Sequence, residues 1–205
     1  MKSTTRIIFP IKEIFHSIQG EGFYSGISAY FIRLEGCNIQ CDWCDTKNSW
    51  KIKKKDFLTV TQIVNQIEDK VKTVVITGGE PTMWNLSLLT KILKKKGHSI
   101  HIETSGSYPI YDKNIDWITL SPKRKKLPLK ENYRKMNELK IVICNEHDFS
   151  FAEEQAIHAK KSNCVFILQP EWKENKKILP KIISYIKKNP KWKISLQIHK
   201  ILNIP

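Results

Sequence analysis

The chain has 205 residues and carries 35 Lys and Arg against 20 Asp and Glu, a formal net charge of +15. Its length suits a single domain, residues 1–205, and no apolar run of about 18 residues predicts a membrane helix. The apolar stretch near the N-terminus is broken by Pro10 and Lys12 and is too short for a signal peptide, so we expect a cytoplasmic protein.

The positive charge comes mostly from lysine runs in residues 51–55, 94–96, 123–126 and 173–193. A basic protein can hold nucleic acid electrostatically. These lysines, however, are scattered over predicted helix surfaces and loops, without a recognition motif or a platform of aromatic residues. We therefore expect no nucleic-acid partner, although a basic face could attract an acidic electron donor or an anionic substrate.

The first predicted strand, residues 12–18, leads into a loop of sequence Gln-Gly-Glu-Gly at residues 19–22. Its glycines let the backbone approach a ligand closely, while the Gln and Glu side chains offer hydrogen-bonding groups. The second predicted strand, residues 28–34, is apolar except for Ser28 and Arg33. An Arg within a buried strand needs an anionic partner, from the protein or from a substrate carboxylate.

The second strand runs into a loop that holds three of the five cysteines, Cys37, Cys41 and Cys44, spaced C-x3-C-x2-C. Three thiolates on one tight loop can bind three irons of a cubane [4Fe–4S] cluster and leave the fourth iron open to a small molecule. Zinc is the commoner metal at clustered cysteines, but a closed structural zinc site needs four ligands. The nearest further candidates, His16 and Cys144, are distant in sequence. A disulfide framework is disfavoured because five is an odd number and the composition resembles that of a cytosolic protein.

Beyond a basic, exposed excursion at residues 47–57, predicted helices and strands alternate. The helices are residues 61–70, 84–96, 149–160 and 176–188, and the strands are residues 73–77, 99–103, 116–120, 139–143, 164–168 and 193–196. This alternation predicts an α/β fold with a parallel sheet and right-handed crossovers. Six or seven such strands are too few for a closed eight-stranded barrel, so we predict a curved, incomplete (β/α)6-like partial barrel.

Polar or Gly-rich residues follow the carboxyl ends of these strands. They are the cysteine loop, Gly78-Gly79-Glu80, Glu103-Thr104-Ser105-Gly106, Ser121-Pro122-Lys123, Gln169-Pro170 and Gln197-Ile198-His199. In parallel sheets the carboxyl ends of the strands meet at one edge, where ligand sites are built. We expect these residues to form one pocket. Cys144 and Cys164 lie in apolar runs and are interpreted as small buried hydrophobic residues.

Together these motifs resemble those of the 7-carboxy-7-deazaguanine synthases, radical S-adenosylmethionine (SAM) enzymes of the queuosine and 7-deazapurine pathway. The resemblance rests on residues 19–22, 31–37, 41–46, 77–81 and 196–200. It implies a partial barrel of the radical SAM type with a [4Fe–4S] cluster, SAM and Mg²⁺. It also implies a carbon–nitrogen lyase that converts 6-carboxy-5,6,7,8-tetrahydropterin to 7-carboxy-7-deazaguanine with loss of ammonia. In that chemistry a 5′-deoxyadenosyl radical takes hydrogen from C6, the ring contracts and SAM is regenerated.

The resemblance further implies a role for each site residue. Cys37, Cys41 and Cys44 would bind the cluster, and Thr46 would bind Mg²⁺. The residues implied to contact SAM are Trp43, Cys44, Asp45, Gly79, Glu80, Glu103, Ser121, Pro122, Lys123, Gln169 and Pro170. The residues implied to contact the pterin are Ile18, Gln19, Gly20, Glu21, Arg33, Thr77, His199 and the terminal Pro205.

Within these sets, Gly79 and Glu80 would fix the SAM amino group, Glu103 the SAM ribose, and Arg33 the substrate carboxylate. Two alternatives stay open: Trp43 as a core aromatic residue and His199 as a hydrogen-bonded structural histidine. No general acid or base beyond the cofactors is implied.

Two other functions are compatible with parts of the sequence. A glycyl-radical-enzyme activase shares the cysteine spacing but would lack the Gln-Gly-Glu-Gly loop. A non-enzymatic, basic, metal-binding protein associated with tRNA would bind one zinc ion instead of four irons and four sulfides. For the synthase, the resemblance implies a homodimer, and the positive charge suits a small acidic electron donor such as flavodoxin.

Overall fold

The computed structural model describes residues 7–53, 56–159 and 164–205. Its strands are β1 (Ile8–Ile18), β2 (Ser28–Leu34), β3 (Phe57–Thr59), β4 (Thr73–Gly78), β5 (Ser99–Thr104), β6 (Trp117–Leu120), β7 (Glu138–Ile143), β8 (Val165–Pro170) and β9 (Trp192–Ile194). Its α-helices are α1 (Val60–Val64), α2 (Ser87–Lys95), α3 (His147–Ile157), α4 (Asn175–Lys188) and α5 (Ile198–Leu202). Among these residues the strands form one nine-stranded sheet in the order β3-β1-β2-β4-β5-β6-β7-β8-β9.

The sheet is mostly parallel and is not closed into a barrel, which confirms the predicted fold class. Strand β2 and strands β4 to β9 pair in parallel. Strand β1 pairs antiparallel with both β2 and β3. This antiparallel edge was not predicted. It arises because the short loop after β1 returns the chain directly, whereas parallel neighbours need a long crossover.

Residues alternate between two faces of the sheet, as the pleat of a strand requires. One face packs under the helices and carries the main apolar core, which includes Leu34, Ile76 and Ile102, each with no exposed surface. The other face carries a small apolar cluster of Ala29, Phe31 and Val75, with Phe15 packed against it. The rest of that second face is largely polar and lines the cavity described below.

Helix boundaries differ from the prediction in three places. Helix α1 ends at Val64, not residue 70, because the next turn tightens to i→i+3 bonds such as Gln66 N to Ile63 O at 3.1 Å. Helix α2 begins at Ser87 because Pro81–Met83 forms a separate 3-10 turn. Helix α3 spans His147–Ile157, whereas residues 149–160 were predicted; residue 160 lies outside the described residues, as do residues 54 and 55 of the first lysine run.

Strand β3 and helix α5 were not predicted, and residues 105–137 contain no α-helix in either crossover on the two sides of β6. The unpredicted C-terminal part matters most for the site. There, Ile198 N donates to Gly20 O at 3.0 Å, and Ser17 Oγ donates to Pro205 O at 2.8 Å. These bonds join the β1 side of the sheet to the segment after β9, so the cavity face is partly enclosed without strand pairing. None of the helices described is long and apolar enough to cross a membrane.

Candidate active site

A cavity of about 450 Å³ lies at the carboxyl ends of the parallel strands, and a smaller hollow adjoins it at Gln19, Glu21 and Glu103. Every predicted site residue except Pro122 lines the cavity. Pro122 is buried beside the cavity, between Ser121 and Lys123, which do line it. The volume is in the range of small-molecule sites, and the position is where parallel sheets build them. The expectation that the scattered motifs form one pocket is therefore confirmed geometrically, whereas the individual roles stay predictions.

The cysteine loop forms one wall of the cavity, and Cys37, Cys41 and Cys44 all line it. The loop is fixed by its own backbone: Cys44 N donates to Cys41 O, and Cys37 N donates to Trp50 O, both at 3.1 Å. Trp50 Nε1 also donates to Cys44 Sγ at 3.4 Å. Burial raises the pKa of the Cys41 thiol. In the described part of the chain, no three His, Cys, Asp or Glu side chains are grouped so as to hold a single metal ion.

Neither residue considered as a fourth zinc ligand lines the cavity. His16 is bonded to Ser28 Oγ at 2.7 Å and stacks on Tyr30, with 5.0 Å between ring centroids. Cys144 and Cys164 are both partly buried, and burial raises the pKa of Cys144 to about 12. The three thiols of the loop are therefore the sulfur ligands that this cavity offers within the described residues.

The Gly-Gly-Glu turn after β4 packs directly against the cysteine loop. A Cβ atom on Gly79 would lie 2.2 Å from Gly36 O, so no side chain fits there. Glu80 is almost fully buried, and its carboxylate accepts bonds from side chains or amides of Thr82, Thr104 and Ser105. Glu80 thus ties the turn to the end of β5, and a contact with the SAM amino group would add to these bonds.

Glu103 lies between two residues that were predicted to contact the pterin. Its Oε1 accepts from Gln19 Nε2 at 3.0 Å, and its Oε2 accepts from Thr77 Oγ1 at 3.1 Å. The structure therefore groups Glu103 with Gln19 and Thr77, although the family resemblance had implied a contact with the SAM ribose.

The anionic partner that Arg33 needs is supplied by the protein. Arg33 Nε donates to Glu13 Oε1 at 2.6 Å, and the guanidinium lies over the Phe15 ring, 5.7 Å from its centroid. Glu13 and Arg33 are register partners on the antiparallel pair β1–β2. Arg33 also lines the cavity, so its contact with a substrate carboxylate stays a prediction.

Trp43 is 36% exposed and lines the cavity, which rules out the alternative of a core aromatic residue. Lys123 Nζ lies 5.0 Å from the centroid of its ring and donates to Ser121 O and Ser121 Oγ at 2.8 and 2.6 Å. Burial lowers the pKa of Lys123. These contacts join the cysteine loop to the turn after β6, two segments predicted to contact SAM.

Comparisons with known proteins agree with this geometry. Residues 31–124 match the family model described as the Radical SAM superfamily. A 7-carboxy-7-deazaguanine synthase from Flavobacterium psychrophilum is 47% identical over 198 residues, which covers 97% of this chain and 93% of that protein. The synthase from Synechocystis is 45% identical over 97% of this chain and 94% of its own length. The chain belongs to the 7-carboxy-7-deazaguanine synthase family.

The fold of a family member agrees as well. The crystal structure of QueE from Escherichia coli superposes with a TM-score of 0.81 at 30% identity, covering 92% of this chain and 93% of that one. Membership of this family makes the chain a radical SAM enzyme of the queuosine pathway, with a [4Fe–4S] cluster and SAM as cofactors. The residues present fit that pair, because three thiols and a glycine turn without side chains open on one cavity large enough for a small molecule.

The family resemblance did not assign several residues that line the same cavity. The charged and polar ones among them are Thr104, Ser105, Lys140, Glu171, Gln197 and Lys200. Gln197 Nε2 donates to Glu21 Oε1 at 2.8 Å and to Asp45 Oδ2 at 3.2 Å, and Lys200 Nζ donates to Asp45 Oδ2 at 3.0 Å. The C-terminal segment thereby connects the Gln-Gly-Glu-Gly loop with the cysteine loop.

Lys140 is the most informative of the residues missed. It lies on the apolar strand β7, where a single cation within the run Glu-Leu-Lys-Ile-Val-Ile is the same kind of signal as Arg33 on β2. Burial alone would raise the pKa of the Glu21 carboxyl, but the Lys140 ammonium and hydrogen bonds from Lys140, Gln197 and Gln169 lower that pKa to about 2.

Proposed function

We propose that this chain converts 6-carboxy-5,6,7,8-tetrahydropterin to 7-carboxy-7-deazaguanine with loss of ammonia. The observation that carries the proposal is one cavity in which three thiols face a set of side chains suited to a pterin. When bound, the cluster and SAM supply the 5′-deoxyadenosyl radical that removes a hydrogen atom from C6 of the substrate. The protein residues orient the pterin and keep water out of the cavity.

Gln19, Glu21 and Thr77 offer an amide, a carboxylate and a hydroxyl group to the donors and acceptors of the pterin edge. Glu21 stays ionised over the working pH range because its pKa is about 2. A carboxylate that stays ionised is a pure acceptor, which matches the N–H groups of an aminopyrimidinone. Arg33, whose Nε is held by Glu13, has further guanidinium N–H groups with which to bind the substrate carboxylate.

We assign a Mg²⁺ ion to Thr46. Thr46 lines the cavity and its Oγ1 lies 3.6 Å from Cys44 Sγ, so a metal ion bound there would be close to the cluster loop. Mg²⁺ prefers oxygen ligands and keeps several waters, so one protein hydroxyl with substrate oxygens and water makes a reasonable ligand set. Replacement of Thr46 by Ala should raise the Mg²⁺ concentration needed for half-maximal rate, whereas Thr46→Ser keeps the hydroxyl and should not.

The test is turnover by the anaerobically reconstituted protein. The protein is incubated with SAM, a chemical reductant, Mg²⁺ and 6-carboxy-5,6,7,8-tetrahydropterin, and 7-carboxy-7-deazaguanine is sought by absorbance and mass. Cys41→Ala should abolish the product and reduce the iron content. Cys144→Ala, which removes a thiol outside the cavity, is the matched control and should keep both. Iron-loaded protein that cleaves SAM but leaves the pterin unchanged would disprove the assigned substrate.

The remaining parts of the proposal concern the surroundings of the enzyme. The net charge of +15 favours an acidic reductant such as flavodoxin, and the family resemblance suggests a cytoplasmic homodimer. Reduction by flavodoxin should slow as salt screens the surface charges, whereas reduction by dithionite should change less. Light scattering of the reconstituted protein would give the oligomeric state.

A further inference from the structure

Lys140 is a buried cation on the cavity face of β7. Its neighbours Leu139 and Ile141 pack in the main core on the opposite face, while Lys140 lines the cavity. Only 6% of its side chain is exposed, and its Nζ lies 2.5 Å from Glu21 Oε2. Removing an ammonium from water is unfavourable, and the close Glu21 carboxylate offsets part of that cost.

The same contact restricts Glu21. Its Oε2 is held by Lys140, its Oε1 accepts from Gln197 Nε2 at 2.8 Å, and its backbone N–H donates to Gln19 Oε1 at 3.1 Å. A carboxylate has about four acceptor positions, so the contacts with Lys140, Gln197 and Gln169 fix its plane and still leave acceptor capacity for a ligand. Because Glu21 lines the cavity, the remaining positions are available to a molecule bound there.

Other charges surround the pair. The carboxylates of Glu103, on β5, and Glu138, on β7 like Lys140 itself, interact with the Lys140 ammonium. Together with Glu21 they keep the pKa of Lys140 above its ordinary value, although burial lowers it. Asp45 and Lys200 reach the pair through Gln197, and Lys123 is close enough to be affected by the Lys140 charge. His101 faces the smaller hollow between Glu21, Glu103 and Glu138. Among these groups, Lys140 is the one cation that bonds directly to Glu21 in the described structure.

We propose that Lys140 is a positioning residue that holds Glu21 ionised and oriented to accept hydrogen bonds from the N–H groups of the aminopyrimidinone edge of the substrate. The inference rests on the proposed function, since that function supplies the substrate. Lys140 itself would act through Glu21. Without Lys140, burial would raise the pKa of Glu21, and a protonated carboxyl would present a donor where the substrate also has donors.

The experiment compares the reconstituted wild-type enzyme with Lys140→Met, a variant of similar length without charge. We expect KM for 6-carboxy-5,6,7,8-tetrahydropterin to rise at least about tenfold, the loss typical of one charge-assisted hydrogen bond. We also expect this KM to become pH-dependent, increasing as the pH falls, because burial raises the pKa of Glu21 once the Lys140 charge is removed. The KM for SAM and the visible spectrum of the cluster should stay unchanged.

A second variant separates positioning from general damage to the fold. In Lys140→Met with Glu21→Gln, the Glu21 carboxylate is no longer there to titrate, so the pH dependence that it causes should disappear while KM stays high. The double variant should also have a higher thermal midpoint than Lys140→Met alone, because the Glu21 carboxylate that lost its cation has been removed. Lys181→Met, which removes an exposed Lys–Glu pair with Glu146, is the matched control and should behave as wild type.

The outcomes distinguish this inference from the function on which it rests. If the wild type makes no deazaguanine in the same assay, the proposed function fails. If the wild type turns over and Lys140→Met keeps its KM and pH profile, the positioning role fails. A pH dependence of KM that persists in the double variant would also overturn the positioning role, because Glu21 could not be its source.

Discussion

The two faces of the sheet carry opposite kinds of side chain on the same strands. On β5, Ile102 has no exposed surface and packs under the helices, while Glu103, the next residue, lines the cavity. On β7, Leu139 and Ile141 belong to the main core, while Lys140 between them is paired with Glu21. Adjacent residues of one strand therefore lie in two different environments, the apolar core on one face and the charged cavity on the other.

The comparison shows where stability and function reside. The helix-facing side buries apolar groups, which is the main favourable contribution to folding. The cavity side buries ionisable groups, whose removal from water is unfavourable unless each is bonded. Its small apolar cluster of Ala29, Phe31 and Val75 lies at the β1–β2 end of the sheet. Mutations on the two faces should consequently affect different measurements.

The largest effect on stability is expected for Ile102→Ala. Removal of a fully buried side chain leaves a cavity and costs about 2–5 kcal/mol, or about 5–15 °C in thermal midpoint for a chain of this size. KM for both substrates, measured on the folded enzyme below its new midpoint, should change less than about twofold, because Ile102 does not line the active site. A normal midpoint together with a large change in KM would contradict the division between the two faces.

Glu103→Gln tests the adjacent residue on the opposite face. A Gln side chain is uncharged and has one acceptor oxygen, so it could still accept from Gln19 but would have to donate to Thr77 Oγ1, which reverses the second bond. We expect kcat/KM to fall about 10- to 100-fold, with a change in thermal midpoint smaller than that of Ile102→Ala. The KM that changes also shows which ligand Glu103 contacts. An increase in KM for the pterin supports the grouping of Glu103 with Gln19 and Thr77, and an increase in KM for SAM supports the ribose contact.

Gly20→Ala should affect the cavity more weakly. A Cβ atom on Gly20 would lie 2.2 Å from His199 Nδ1, so the His199 ring would have to move. Since both residues line the cavity, we expect KM for the pterin to rise several-fold, with little change in the cluster spectrum. In a His199→Gly background the same substitution should add almost nothing, because both the ring and the His199 Cβ atom, which would lie 2.8 Å from the new Cβ, are gone. Effects that simply multiply in the double variant would show that His199 is not the group displaced.

The sequence was sufficient to predict the elements that depend on local patterns. Apolar runs such as residues 73–77 and 99–103 were correctly predicted as strands. The glycine and cysteine motifs that follow the strands correctly indicated the edge of the sheet where the cavity lies. The parallel pairing of the strands was predicted from their alternation with helices. The prediction made helix α1 too long, because Ile67 keeps a helical spacing although the backbone there forms a tighter turn.

Contacts between distant residues could not be predicted in this way. Lys140 and Glu21 are 119 positions apart, and the pattern that reveals one buried charge does not name its partner. The Arg33–Glu13 pair depends on the antiparallel register of β1, which the parallel prediction excluded. An antiparallel hairpin, had it been considered, would have placed these residues opposite each other, since cross-strand neighbours in such pairs lie close together.

The smallest expected effect concerns Glu138, on the cavity side of β7. Its Oε2 accepts from Phe23 N and Trp117 Nε1, both at 3.1 Å, while its buried Oε1 has no hydrogen-bond partner among the described residues. Burial raises the pKa of Glu138 above 4.5. The stabilising contribution of such a group is complete below pH 4.5 and is lost as the pH rises through the raised pKa.

Glu138→Gln removes this titration and keeps an oxygen for the two donors. Its free energy of unfolding, relative to wild type, should therefore increase as the pH rises from about 4.5, by about 1.4 kcal/mol for each unit by which the pKa is raised. Thermal midpoints at several pH values measure the trend. Glu131→Gln, at an exposed carboxylate, shows the effect of removing one negative charge from a chain of net charge +15. A relative stability that falls with rising pH would mean that Lys140, not burial, controls Glu138. The cavity side would then stabilise its carboxylates collectively instead of pair by pair.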